Sequence, residues 1–154
     1  MKTRLICLIL ALAAGTPATA QNVVADDPQA IVDVLKDWGY RAALVKDSEG
    51  DPKIDSATSG VNFSIYFYGC SGGTQCTSIQ FASGFDMDQG TTPDVVNEWN
   101  ANKRFGKVYL DDEKDPFIEM DISLVGGGIS RDNFRDNLEK WEQLVGDFQK
   151  HIDW

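Results

Sequence analysis

The chain has 154 residues, 42% of them hydrophobic and 25% charged. That is the composition of one ordinary globular domain and excludes a disordered or collagen-like chain. Acidic residues outnumber basic ones 24 to 14, a formal charge of −10, so nucleic-acid phosphates and an anionic membrane surface would be repelled.

Residues 1–20 read as an export signal. Lys2 and Arg4 precede an apolar run from Leu5 to Ala14, and Ala18-Thr19-Ala20 offers a small-residue cleavage site before Gln21. The run is too short to span a bilayer as a permanent helix. Cys7 stands too near the start, without small residues before it, to be a lipidated cysteine. Cleavage after Ala20 removes Lys2 and Arg4 and no acid, leaving 12 basic and 24 acidic residues, a charge of −12. The expected product is periplasmic or secreted, with no integral membrane association after cleavage.

Asp27-Pro28 pairs an N-cap with a first-turn proline, and Ile31, Val34, Leu35 and Trp38 follow at helical spacing up to Gly39. This predicts a helix over 28–38. A strand over 40–46, an acidic turn over 47–52 and a weak return strand over 53–57 come next.

Phe63, Ile65 and Phe67 alternate with Ser64, Tyr66 and Tyr68, and beyond Gly72-Gly73 Ile79 and Phe81 alternate with Ser78 and Gln80. A hairpin folded about Gly73 sets Phe67 against Ile79, Ile65 against Phe81 and Cys70 against Cys76. One register aligns the apolar face and both sulfurs, and a one-residue slip would break both. With Cys7 gone, an even pair in an exported domain reads as a disulfide staple. The C-x5-C spacing and the lack of a basic residue between the cysteines argue against a redox-active pair.

Thr92-Pro93-Asp94 starts a second helix that buries Val95, Val96 and Trp99 and runs to about Lys103. Strands follow over 107–111 and 117–124, split by a polar turn. In the second strand Ile118, Met120, Ile122 and Leu124 alternate with Glu119, Asp121 and Ser123. Gly126-Gly127-Gly128 breaks the chain and Ser130 caps a long helix, with Phe134, Leu138, Trp141, Val145, Phe148 and Ile152 on its inner side. No internal repeat is evident. Short connections imply an antiparallel sheet, and the helices must cover its apolar face. The fold class is therefore α+β, a two-layer sandwich.

Several motifs make the chain similar to the YbjN-domain family. They are Asn97-Glu98-Trp99-Asn100, Lys103-Arg104-Phe105-Gly106, Tyr109-Leu110-Asp111-Asp112, Asp115-Pro116, Glu119-Met120-Asp121, Gly126-Gly127-Gly128, Asn133-Phe134 and Trp141-Glu142. The resemblance covers most of residues 21–154 as a single domain and is densest from residue 91 onward. It implies a fold similar to type III secretion chaperones, in the order α-β-β-β-α-β-β-α. It also implies a sensory transduction regulator or protein-binding, chaperone-like module without established catalytic residues or cofactor. Folds of this kind often dimerise and bind other proteins, although a shared fold does not fix a function. Many members lack an export signal, which this chain carries.

The candidate chemistry is sparse. His151, the only histidine, lies at a helix C-terminus, where the dipole suffices to explain it. Asp86-Met87-Asp88-Gln89-Gly90 has the start of a calcium loop, but Asn97 stands where the closing carboxylate belongs. Gly126-Gly127-Gly128 lacks the lysine of a phosphate loop. Glu119 and Asp121 share a wet strand face, and the neighbouring strand offers them no matched partner. Tyr66 and Tyr68, on the face opposite Phe63, Ile65 and Phe67, and Arg104 in the densest family motif are the candidate protein-binding residues. The favoured reading is an exported, non-enzymatic module that binds a protein partner or a second copy. A periplasmic small-ligand or calcium binder is the alternative, and an uncharacterised hydrolase the second alternative.

Overall fold

The computed structural model describes residues 22–154. The expected signal segment, the expected cleavage point after Ala20 and Cys7 lie outside the described residues. Three helices, α1 (Pro28–Asp37), α2 (Pro93–Asn102) and α3 (Arg131–His151), accompany six strands. The strands are β1 (Ala42–Lys46), β2 (Pro52–Thr58), β3 (Val61–Tyr68), β4 (Ser78–Gly84), β5 (Lys107–Leu110) and β6 (Pro116–Ser123). They form one antiparallel sheet in the order β1-β2-β3-β4-β6-β5.

The sequence dictates the helix starts. Asp27, Thr92 and Ser130 each accept a bond from the backbone N–H three residues on, and proline opens α1 and α2. The hairpin register is the expected one, with Ile65 opposite Phe81 and Phe67 opposite Ile79. One strand exceeds the order implied by the resemblance. The segment that reads as a weak return strand is the seven-residue β2, because Ile54, Ser56 and Thr58 turn inward and both edges of the strand are paired.

The core lies on one face of the sheet. Ile54, Ile65, Phe81 and Met120 stand opposite one another across four strands and are all buried. The α3 helix covers them. Trp141 stacks on Phe81 with ring centroids 5.6 Å apart and meets Phe63 edge-on at 5.9 Å. Phe134 reaches Phe81 at 6.2 Å and Trp38 at 6.0 Å, which ties α1 into the same layer. The segment before α1 is fastened by Val23, which pairs through its backbone with Ile129. Gly128 permits this approach: its φ is +81°, and a Cβ there would stand 2.1 Å from the Val23 carbonyl oxygen.

A repeat does exist. Asp47-Ser48-Glu49-Gly50-Asp51-Pro52 and Asp111-Asp112-Glu113-Lys114-Asp115-Pro116 share the pattern D-x-E-x-D-P and turn the two outer hairpins. In each, the first aspartate Oδ1 accepts from the backbone N–H of the third and fifth residues at 2.9–3.0 Å. The fourth residue has positive φ in both, Gly50 and Lys114. The acids that stand out in the sequence are thus turn-formers that hold their own backbone.

Candidate functional site: the uncovered sheet face

Period-two alternation sends every second strand residue away from the helices. Those residues line a shallow depression of about 690 Å³ on the opposite face. Its floor is made of small residues on the two central strands, Ser64 of β3 and Ala82 and Gly84 of β4. Tyr66 and Tyr68 bound it at one side, and Phe117 and Tyr109 at the other. Phe117 lies directly over Gly84, where a Cβ would come within 2.6 Å of its ring. Tyr109 stacks beside Phe117 at 5.5 Å with planes 15° apart. The absent side chain at residue 84 therefore lets an aromatic pair lie down along the sheet.

The polar groups of this face are engaged with one another. The Tyr68 hydroxyl donates to Gln80 at 3.2 Å, and the Gln80 amide donates to Asp121 at 2.9 Å. Glu119 accepts from the Tyr109 hydroxyl at 2.9 Å and pairs with Lys107 at 2.7 Å. Asp55 accepts from Ser64 at 3.0 Å and pairs with Lys53 at 2.9 Å, and Arg41 donates to Asn62 at 2.7 Å. The titration behaviour follows. Burial, reinforced by the bond to Glu119, pushes the Tyr109 hydroxyl up to about 12. Burial alone would raise Asp55, but the bonds from Lys53 and Ser64 outweigh it and hold the carboxyl below its usual range. The bond to Glu119 raises Lys107. Such a face offers aromatic area, two nearly self-neutralised ion pairs and small steps. No group on it stands poised as a lone acid or base with a pocket around it.

Tyr66 and Tyr68 belong to this face as expected, with Tyr68 45% exposed. Arg104 does not line the depression. It sits in the α2–β5 connection with its guanidinium 5.1 Å from the Phe105 ring. Cys70 and Cys76 are joined by a disulfide at the end of the β3–β4 hairpin. Glu119 and Asp121 do share the outer face, but their neighbours are matched: Lys107 of β5 stands directly across from Glu119, and Gln80 of β4 from Asp121. That corrects the expectation that the adjoining strand offers them nothing. Sequence reading missed Arg41, Asn62, Tyr109, Phe117 and Gly84 at this face. The signal was available in Phe117 and Tyr109, which alternate out of phase with the core residues Ile118 and Val108.

The other candidate residues have structural work. His151 Nε2 lies 2.9 Å from the Val95 carbonyl, and its ring packs beside Trp99 and Phe148. The Asp86–Gly90 segment is a turn in which the Gly90 N–H donates to the Met87 carbonyl. Gly126 and Gly127 make the bend before α3, both with positive φ. Among the described residues, no cluster of three or more His, Cys, Asp or Glu side chains could hold a metal ion. Among them, too, no helix is long and apolar enough to cross a membrane.

The densest motif, around Trp99 and Asn100, builds a corner rather than a site. The Trp99 indole donates to the Gly106 carbonyl at 2.8 Å. The Asn100 amide accepts from the Val108 N–H and donates to the Val108 carbonyl, both at 3.0 Å. Fold and face together define a class, an α+β module with one sheet face covered by helices and, among the described residues, the other uncovered. Residues 27–154 match the YbjN family, described as "Putative bacterial sensory transduction regulator". The chain belongs to that family, whose description is of a regulator and not of an enzyme. No curated protein and no solved structure matches it.

Proposed function

We propose that the protein is an exported, non-enzymatic member of the YbjN family that works by holding a segment of another protein against the uncovered face of its sheet. The depression floored by Ser64, Ala82 and Gly84 between two pairs of aromatic side chains carries this reading. Accessible aromatic side chains are among the usual anchors of protein contacts. The mutual engagement of Asp55, Glu119 and Asp121 with neighbouring side chains supports binding over acid–base chemistry. The basic start, the apolar run and Ala18-Thr19-Ala20 support export, as does a cysteine pair joined as a disulfide.

Two measurements test the proposal. Intact mass of the protein from a periplasmic fraction is expected to correspond to a chain starting at Gln21, and a cytosolic, full-length product would contradict export. Cross-linked capture from the periplasm is expected to lose its partner in the Tyr66→Ala plus Tyr68→Ala variant. Retention of every captured partner by that variant would reject this face.

A further inference from the structure

The charges of the uncovered face are not equally matched. Lys53 holds Asp55 at 2.9 Å and Lys107 holds Glu119 at 2.7 Å, while Asp121 accepts from Gln80. Arg41, at the rim of the same depression, makes no ion pair among the described residues. Its charge ranks behind the bonds from Lys53 and Ser64 among the influences that lower Asp55. Arg41 is nevertheless held in place. It precedes Ala42, the partner of Ser56, so its side chain crosses β2 at the small Ala57 and its Nη2 donates to Asn62 Oδ1 of β3 at 2.7 Å. Its own carbonyl accepts from Ser56 Oγ at 2.7 Å. A guanidinium anchored by a neutral amide keeps its full charge and the rest of its N–H fork for another group.

We infer that Arg41 is the specificity residue of this face, and that the segment held there is extended, with an acidic side chain for Arg41 and an aromatic side chain two residues on. The inference rests on the proposed use of the face and names the chemistry of what it takes. A carboxylate is the group that matches the guanidinium fork, with paired hydrogen bonds as well as charge. Spacing supplies the rest. Asn62 and Ser64 are two residues apart on β3, about 7 Å, and Ser64 stands opposite Ala82. In an extended segment, side chains two residues apart point the same way at that same spacing. An acid set on Arg41 therefore delivers its second neighbour to the small floor of Ser64 and Ala82, between Tyr66 and Phe117. A ring fills that gap and meets rings on both sides. The acid is a side chain rather than a chain end, because only a side chain turns toward the sheet together with its second neighbour. A basic segment meets the opposite situation: Asp55 and Glu119 already hold lysines, which its own cation would have to displace. The net charge of −10 repels an acidic segment at a distance, but at physiological ionic strength that repulsion fades beyond about 8 Å, and contact with Arg41 decides.

Heteronuclear NMR titration of the purified protein with acetylated, amidated Gly-Glu-Gly-Trp-Gly tests the inference, the blocked ends leaving the side-chain carboxylate as the peptide's one charge. The expected result is saturable shifts at the Arg41 Nε–H and at the Ser64 and Ala82 amides. The dissociation constant is expected to rise by about tenfold or more when the peptide carries Gln for Glu, and likewise in Arg41→Gln. Equal affinity for the Glu and Gln peptides would overturn the inference, as would tighter binding of the peptide with Lys in that place. No saturable shift at about 10 mM peptide, where a millimolar complex fills, would overturn it too. Should Arg41→Gln lower the thermal midpoint, Asn62→Ala is used instead, which releases the guanidinium without removing it. It is expected to weaken the Glu peptide and leave the Gln peptide unchanged, and an equal loss for both would contradict recognition through Arg41. Partner capture separates this inference from the face itself. If Arg41→Gln captures what the wild type captures while Tyr66→Ala plus Tyr68→Ala does not, the face stands and the acidic segment is rejected.

Discussion

The two faces of the sheet are cut from the same strands, one residue apart, and differ in how their area is used. Toward the helices, Ile65, Phe67, Ile79, Phe81 and Ile118 are fully or almost fully buried against α1 and α3. Away from the helices, large rings stand at the ends and small residues in the middle, and each carboxylate is held by a neighbour. The first arrangement is what folding requires, since burial of that apolar area is the main favourable term. Folding does not require the second. A flat polar face of threonines and paired opposite charges would serve the sheet as well. Gly84 makes the point most clearly, because a glycine in a strand weakens it, and what it yields here is a resting place for Phe117.

Substitutions can sharpen that contrast. The largest effect is expected from Phe81→Ala, which empties the space between Phe63, Phe134 and Trp141 and should cost about 3–5 kcal/mol in denaturant unfolding. Gly84→Ala is expected to cost about 1–3 kcal/mol, because the new methyl drives the Phe117 ring off the sheet. The same change should abolish partner capture, a loss out of proportion to its effect on stability. If Gly84→Ala binds normally, Phe117 is packing and nothing more.

Reduction of the Cys70–Cys76 disulfide closes the next comparison, between the hairpin tip and the sheet. The bridged loop is short, with a sequence separation of 6, so its loss should cost about 2 kcal/mol or less. Smallest of all, Tyr68→Ala should lie within about 1 kcal/mol of wild type in stability, being half exposed with one side-chain hydrogen bond. It should still weaken capture.

Alkaline titration probes both faces at once. Tyr109 on the uncovered face and Tyr40 on the covered side are both raised from 10.0 to about 12, burial being the leading cause and a carboxylate hydrogen bond the second. A folded-state value above the unfolded one favours the neutral phenol, so this contribution is complete below pH 10 and is lost as pH rises toward 12. The thermal midpoint is therefore expected to fall across that interval, and Tyr109→Phe should flatten part of the fall. A midpoint that holds steady through pH 12 would show that neither hydroxyl is held as described.

Much of this architecture is legible in the residues. The helix caps, the β3–β4 register and the inner side of α3 follow from period and spacing, because one-face burial leaves a sequence little freedom. The uncovered face is legible only in part. Tyr66 and Tyr68 stand out beside the apolar alternation of Phe63, Ile65 and Phe67. Phe117 and Tyr109 do not, since two aromatics on separate strands become neighbours only once β5 pairs with β6. Asn100 is equally opaque: an amide that completes a strand edge eight residues away depends on how α2 approaches β5, and no local rule states that. The D-x-E-x-D-P pair was visible all along. Its first acids, Asp47 and Asp111, hold the turns, because a carboxylate close to its own backbone N–H groups satisfies them first.

Hydroxyl-radical footprinting with and without the captured partner tests the uncovered face most directly. The account predicts that oxidation of Tyr66, Tyr68, Tyr109 and Phe117 falls sharply on binding, while the exposed Trp154 keeps its rate. Unchanged rates at those four rings, with protection moved to the outer sides of α1 and α3, would contradict it.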